Sequence, residues 1–145
     1  MGINQKTLLV LSAIPYLFKG VGMTLLITIL ALLVGAFAGV ALALARVYGG
    51  KLSSGFAVFY SRIIRSLPLL VILFMLFYAS SSIFNLSAFM AIVLSLAIHT
   101  SAYQMEIFRG AIQSIGKGQM EAGLAVGMNR LQCILSIILP QALRR

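Results

Sequence analysis

The chain has 145 residues, 61% of them apolar and only 9% charged, with a net charge of +9. A soluble domain of this size does not hide that much apolar surface, so the composition calls for a bilayer as solvent. The bases stand at the ends of apolar runs rather than in a stripe with interleaved aromatics, which argues against nucleic acid as a partner, and the single cysteine, Cys133, excludes an internal disulfide or a cysteine-built metal site.

Residues 1–19 place Lys6 and Lys19 around an apolar patch from Leu8 to Ile14 that Pro15 interrupts. An amphipathic lead-in lying at the bilayer surface is expected here. A cleaved signal peptide is the weaker reading, because the segment that follows is itself long enough to span. From Gly20 to Ala45 there are 26 residues without a charge. At ~1.5 Å per residue they reach ~39 Å, enough to cross a hydrocarbon core of ~30 Å with some tilt. Thr24, Thr28, Ala31, Gly35, Gly39 and Ala43 recur at spacings of three and four and share one face. Gly35-x3-Gly39 within it is a small-x3-small pattern that lets helices pack backbone to backbone, with packing inside the chain favoured over a contact between chains.

Arg46, Lys51, Arg62 and Arg65 bracket the next connection and no acid offsets them, which assigns this loop to the cytoplasm and the N-terminus to the outside. Gly49-Gly50-Lys51 fails the pattern of a phosphate-binding loop, because Ala45 and Leu52 occupy the positions that need a glycine and a hydroxyl. The chain is therefore expected to bind no ATP. A second span is expected over about 67–84, with an earlier start as the alternative because Phe56 to Tyr60 is also apolar; Pro68 lies near its cytoplasmic end, where a proline starts or kinks a helix at small cost. Ser80–Ser82 and Asn85 mark the turn after it, which carries no lysine or arginine.

A third span is expected over about 86–105. It holds the polar cluster Ser95, His99, Thr100, Tyr103 and Gln104, in which Ser95, His99 and Tyr103 lie four apart and line one stripe. An ionisable group at that depth is a candidate for the lining of a pathway. Its bland alternative is a neutral histidine packed and hydrogen-bonded against a neighbouring helix. Glu106 and Arg109 follow at a spacing that permits an ion pair on one helix face. Lys117 and Arg130 then return the chain to the cytoplasmic side.

From Gly116 to Pro140 the chain turns polar and glycine-punctuated. Gln119 to Val126 has room for about two helical turns, with Glu121 in the first of them, where a negative charge complements the helix dipole. Gly127 can supply a left-handed residue at the helix end. Ala122, Gly123 and Ala125 are small, so another protein can approach closely. No serine, histidine and acid share a compartment, and neither catalytic nor metal-ligating residues are expected.

Three separated stretches carry a resemblance. Glu121-Ala122-Gly123, then Gly127, then Ile137-x-Leu139-Pro140 has the spacing E-A-A-x3-G-x9-I-x-L-P, with Gly123 where a second alanine is usual. Arg65-Ser66-Leu67-Pro68-Leu69-Leu70 is one further stretch. The other is Ala102-Tyr103-x-x-Glu106-Ile107-x-Arg109-Gly110-Ala111-Ile112-Gln113-Ser114-Ile115, followed by Gly118-Gln119. From about Leu17 onward the chain resembles the permease subunits of bacterial ATP-binding-cassette importers of the polar amino-acid type, and the first stretch resembles their EAA motif. The resemblance implies an all-α membrane protein: three transmembrane helices plus a cytoplasmic coupling helix, the N-terminal part of a type I importer transmembrane domain. Members of that family continue into two more spans, so the 145 residues are expected to be incomplete at the C-terminus.

The implied function is a multi-pass permease subunit of the bacterial inner membrane that forms part of an amino-acid pathway. Its implied partners are a cytoplasmic ATPase dimer that binds the ATP, a second permease chain, identical or paralogous, an external amino-acid-binding protein, and membrane lipid. Gln119, Glu121, Ala122, Gly123 and Gly127 are the implied ATPase-coupling residues, and His99, Ser95 and Tyr103 the candidate pathway lining. Two other classes fit part of the pattern: a small channel or secondary transporter, which needs mid-membrane ionisable groups and finds only His99, and a non-transporting assembly protein.

Overall fold

The structure, a computed structural model, describes residues 3–83 and 86–144. Every regular element among them is helical. Helix α1 (Ile3–Tyr48) is followed by α2 (Lys51–Ser66), α3 (Leu69–Ile83), α4 (Ala88–Gln113) and α5 (Lys117–Ala125). A last helical stretch is built from α6 (Arg130–Cys133), a π turn over Ile134–Ile138, and α7 (Leu139–Ala142). Two helical segments are long and apolar enough to cross a membrane, Ser12–Tyr48 and Ala88–Gln113, and α2 with α3 forms a third candidate bent by 101°.

The bundle is organised by the pairing of α1 with α4. A Cβ added to Gly35 would come within 3.1–3.3 Å of Thr100 and the Ala97 carbonyl oxygen. At Gly39 it would lie 2.9 Å from Gln104 Cβ and 3.2 Å from the backbone of Ser101 and Met105. The small-residue face therefore packs inside the chain, backbone against backbone. Ala31, Gly35, Gly39 and Ala43 are buried, whereas Thr24 and Thr28 at the upper end of the same face are exposed. Position numbers rise together on both helices, so α1 and α4 run parallel. A second cluster gathers Ala43, Ala57, Met105, Ile112, Ile115, Ile138 and Ala142, tying the ends of α1 and α4 to α2 and to the last helical stretch.

Several boundaries differ from expectation, each for a backbone reason. The described part of the lead-in, residues 3–19, is not a separate helix: α1 runs from Ile3 through Pro15 to Tyr48. Proline removes one hydrogen bond, but ending a helix there would free several backbone groups in an apolar setting, which costs more. The helix of the expected second span starts at Leu69 rather than at residue 67. Leu67 is extended (φ −93, ψ 135) because the ring of Pro68 disfavours helix in the residue before it, and the chain turns sharply between α2 and α3. Residues 51–66, expected as a connection in which the second span has its alternative earlier start, are a full helix of their own. Ser80–Ser82 extend α3 rather than forming a turn, while Asn85 lies outside the described residues. Ser87 caps α4 instead, its hydroxyl accepting from the Met90 amide at 3.3 Å. Helix α4 continues to Gln113, eight residues beyond the expected end at 105, because its polar side chains there find partners within the protein.

Candidate functional site

Helix α5 begins at Lys117, two residues earlier than expected. Gly116 takes the extended cap position (φ −59, ψ 138), and Gly118 is tolerated within the first turn. Glu121 consequently sits in the second turn, so the expected interaction with the positive helix end, confined to the first turn, is not made. The other end closes as its glycine foretells. Gly127 has φ 89, the one positive-φ glycine among the described residues. Its amide donates to the Leu124 carbonyl at 3.1 Å and the Met128 amide to the Gly123 carbonyl at 3.1 Å. This pair of bonds is a Schellman closure, which satisfies the last carbonyls of α5 and turns the chain back.

The small residues of α5 divide between two faces. Gly123 is buried and points inward, where a Cβ would lie 2.5 Å from Cys133 Sγ and 3.0 Å from Ile137 Cδ1. Its size serves a seat on the chain's own last helical stretch rather than the approach of a partner. Glu121, Ala122, Leu124, Ala125 and Val126 are exposed. Gln119 is exposed too and accepts from Gln141 Nε2 at 3.1 Å, a second tie between α5 and the last helical stretch. The two halves of the EAA-like motif thus form one unit. Asn129 starts the second half with a reciprocal capping box, its side chain accepting from the Gln132 amide at 2.9 Å and its amide donating to Gln132 Oε1 at 2.8 Å. The π turn then places the Leu139 amide on the Ile134 carbonyl. This wider turn sits just before Pro140, whose ring would otherwise press on the carbonyl four residues earlier. A cleft of about 410 Å³ opens beside α5, lined by residues that include Val47, Tyr48, Gln113, Lys117 and Glu121.

Ile138 and Ala142 join this unit to the bundle, and the ends of α1, α2 and α4 are joined in turn through Glu106. The expected pair with Arg109 is present, Arg109 Nε donating to Oε2 at 2.8 Å. Arg46 of α1 donates to Oε1, and Arg65 of α2 stands 3.9 Å from the same oxygen. Ser61 Oγ donates to Oε1 at 3.4 Å. One carboxylate at the edge of a span therefore gathers guanidinium groups from three helices. Arg109 continues the network to Gln113 Oε1. Tyr60 adds a second polar link between α2 and α4, its Oη donating to the Ile98 carbonyl at 3.1 Å and lying 2.7 Å from Ser101 Oγ. Sequence reasoning found the pair within α4 but read Arg46 as a marker of topology, and Arg65 as that and as part of a family-like stretch, not as partners of Glu106.

Ser95, His99 and Tyr103 do not share one environment. A spacing of four advances a helix about 40° beyond a full turn, so the stripe rotates from a buried to an exposed face. Ser95 is buried and donates to the carbonyl of Ala91 at 2.8 Å. His99 is half-buried with its ring 4.9 Å from that of Tyr103. Tyr103 is exposed, and Arg65 Cζ lies 5.2 Å from its ring centroid. Neither nitrogen of His99 has a hydrogen-bond partner among the described residues. Cys133 is buried, as a small apolar residue would be. Among the described residues no group of His, Cys, Asp and Glu is placed to hold a metal ion.

Comparison with known proteins adds to this geometry. The family model described as binding-protein-dependent transport system inner membrane component matches residues 31–145. The glutamine transport system permease protein GlnP of Escherichia coli (strain K12) is 40% identical over 136 residues, which cover 92% of this chain and 62% of that relative. The nopaline transport system permease protein NocM of Agrobacterium fabrum is 38% identical over 149 residues, covering 94% of this chain and 61% of its own length. Among solved structures, the crystal structure of an amino acid ABC transporter with histidines aligns with a TM-score of 0.80 at 36% identity, over 94% of this chain and 64% of that one. The inward-facing MetNI methionine ABC transporter aligns with a TM-score of 0.67 at 21% identity, over 99% of this chain and 66% of that one, a likeness of fold alone. The chain spans about 62% of the length of the first of these curated relatives.

Proposed function

Because the chain belongs to the family of binding-protein-dependent transport system inner membrane components, we propose that it forms the permease part of an ATP-driven amino-acid importer. Helix α5 is its coupling element. The observation that carries this reading is the construction of α5. Its inner side is locked onto Cys133 and Ile137, its end is closed at Gly127, and its outer side offers an acid among small side chains. A short helix held rigidly in this way transmits a displacement of its partner to the bundle. The partner is a separate cytoplasmic ATPase dimer, which binds the ATP; this chain supplies Glu121, Ala122 and Ala125 as the docking face. An external binding protein delivers the solute, and a second permease chain, identical or paralogous, completes the pathway. Tyr103 and the half-buried His99 are its candidate lining, whereas Ser95, bonded to its own helix within the α1–α4 contact, is a packing residue.

The decisive experiment is co-purification with the cognate ATPase. Glu121→Lys reverses the one charge of the docking face, and Gly127→Val forces a β-branched residue into φ 89. Each is expected to lower ATPase retention by about tenfold or more, the scale of a lost charged contact at an interface, while membrane abundance stays within about twofold. Unchanged retention in Glu121→Lys would remove α5 from the coupling role.

We further propose an arrangement of three crossings with the N-terminus outside. The parallel run of α1 and α4 supports it, since two parallel spans need a return passage between them, and α3 lies between them in the chain. In a Cys133→Ala background, a cysteine placed by Ser53→Cys is expected to react with a membrane-impermeant maleimide only after the cytoplasmic side is opened. Labelling in intact cells would reverse the orientation.

A further inference from the structure

Helix α2 has two faces with opposite tasks. Ala57 and Ser61 are buried against the bundle. On the opposite face Leu52, Phe56, Phe59 and Ile63 form a continuous exposed stripe, 89%, 61%, 64% and 40% exposed respectively. Their spacings of four, three and four keep them within about 60° of one another at ~100° per residue. By the same count Lys51, Arg62 and Arg65 all lie on one flank of the stripe, and α2 contains no acid. Arg62 and Lys51 make no ion pair among the described residues, and the nearest carboxylate, Glu106, is already hydrogen-bonded by Arg46 and Arg109. The other flank carries Tyr60, which reaches the Ile98 carbonyl, farther along α4 from its charged Glu106–Arg109 end.

The bend of 101° to α3 sets the orientation. If α3 follows the crossing direction, α2 lies close to the membrane plane. The basic flank then faces the charged end of α4 and the aromatic stripe faces outward at the boundary. From this we propose that α2 is an in-plane anchor that binds anionic phospholipid, its lysine and arginines on the headgroup phosphates and its phenylalanines among the upper acyl chains. The chemistry is that of interfacial helices generally: apolar area supplies binding, and bases select lipids of negative charge. Guanidinium groups suit phosphate oxygens because they offer paired donors. This inference requires only the membrane location, not the transport reading.

The chain contains no tryptophan, so Phe59→Trp introduces a single reporter on the exposed stripe. The purified chain is reconstituted in phosphatidylcholine vesicles containing equal fractions of either acyl-brominated phosphatidylglycerol or acyl-brominated phosphatidylcholine. At low salt the brominated anionic lipid is expected to quench the indole about threefold more strongly. Lys51→Gln with Arg62→Gln should abolish that preference while leaving quenching by both lipids; Arg65 is left intact because it also faces Glu106. Phe56→Trp provides a second reporter on the stripe, and Phe37→Trp, at an α1 position 79% exposed, should show quenching without headgroup preference. Equal quenching by the two lipids at both α2 reporters overturns the proposal. So does the absence of quenching by either, which is the result if protein, including a second copy of the chain, covers this face.

Discussion

Glu106→Ala is expected to destabilise the bundle by about 3 kcal/mol, the low end of the range for breaking a buried charge cluster by removing one side of it. The carboxylate is 22% exposed, which argues for that lower end, but its loss leaves Arg46, Arg65 and Arg109 facing one another without a counter-charge. Helix α2 should loosen most, because two of its ties, Arg65 and Ser61, run to this residue. Denaturation in mixed detergent, followed by circular dichroism, measures the change. Glu121→Ala is the matched control: it removes the same charge from an exposed position with no ion pair among the described residues, and should leave stability within about 0.5 kcal/mol. Arg65→Ala, at 3.9 Å and 44% exposed, should cost about 1 kcal/mol or less. Equal losses in Glu106→Ala and Glu121→Ala would show that the three-helix cluster does not hold the bundle together.

Gly39→Val should produce an effect of similar size by a different route. The new Cβ would start 2.9 Å from Gln104 Cβ and 3.2 Å from the Met105 nitrogen and Ser101 oxygen. Two of those atoms are backbone of α4, so relief requires α1 to move away from α4 along the face they share. Overpacking of this kind costs about 1–3 kcal/mol and occasionally more. The same detergent titration measures it, with Phe37→Val as the control for removing or adding apolar bulk where nothing is packed. A Gly39→Val chain as stable as its parent would mean that close helix approach is not required here.

The long apolar helices and the closed end of α5 were legible because each rests on local rules. A charge-free run sets a crossing, and a glycine with no side-chain conflict at positive φ closes α5 at Gly127. The small-residue face of α1 was legible as well, down to its preference for packing within the chain. Helix α2 was missed for a definable reason. Its mean composition is too polar for a span and its bases were weighed as topology signals, so the apolar run Phe56 to Tyr60 counted only as an earlier start of the second span and the repeat of Leu52, Phe56, Phe59 and Ile63 went unread. The charge cluster was half legible: Glu106 and Arg109 are three apart in the chain, but Arg46 lies sixty residues away and is brought in only by the parallel pairing of α1 and α4. The inward turn of Gly123 could not be read from its size alone, since a small residue suits a partner's approach and a tight internal seat equally.

That seat changes what the third position of the EAA motif means in this chain. Gly123 stands where alanine is usual, and the space a methyl group would fill is already taken by Cys133 Sγ and the end of Ile137. The residue at 123 and the residue at 133 therefore divide one fixed volume between them. With the Cys133 side chain turned as it is, a methyl at 123 has no room, and would ask for a smaller or differently turned side chain at 133. The departure from the motif thus has its packing counterpart ten residues downstream, in a side chain that fills the space a methyl would take.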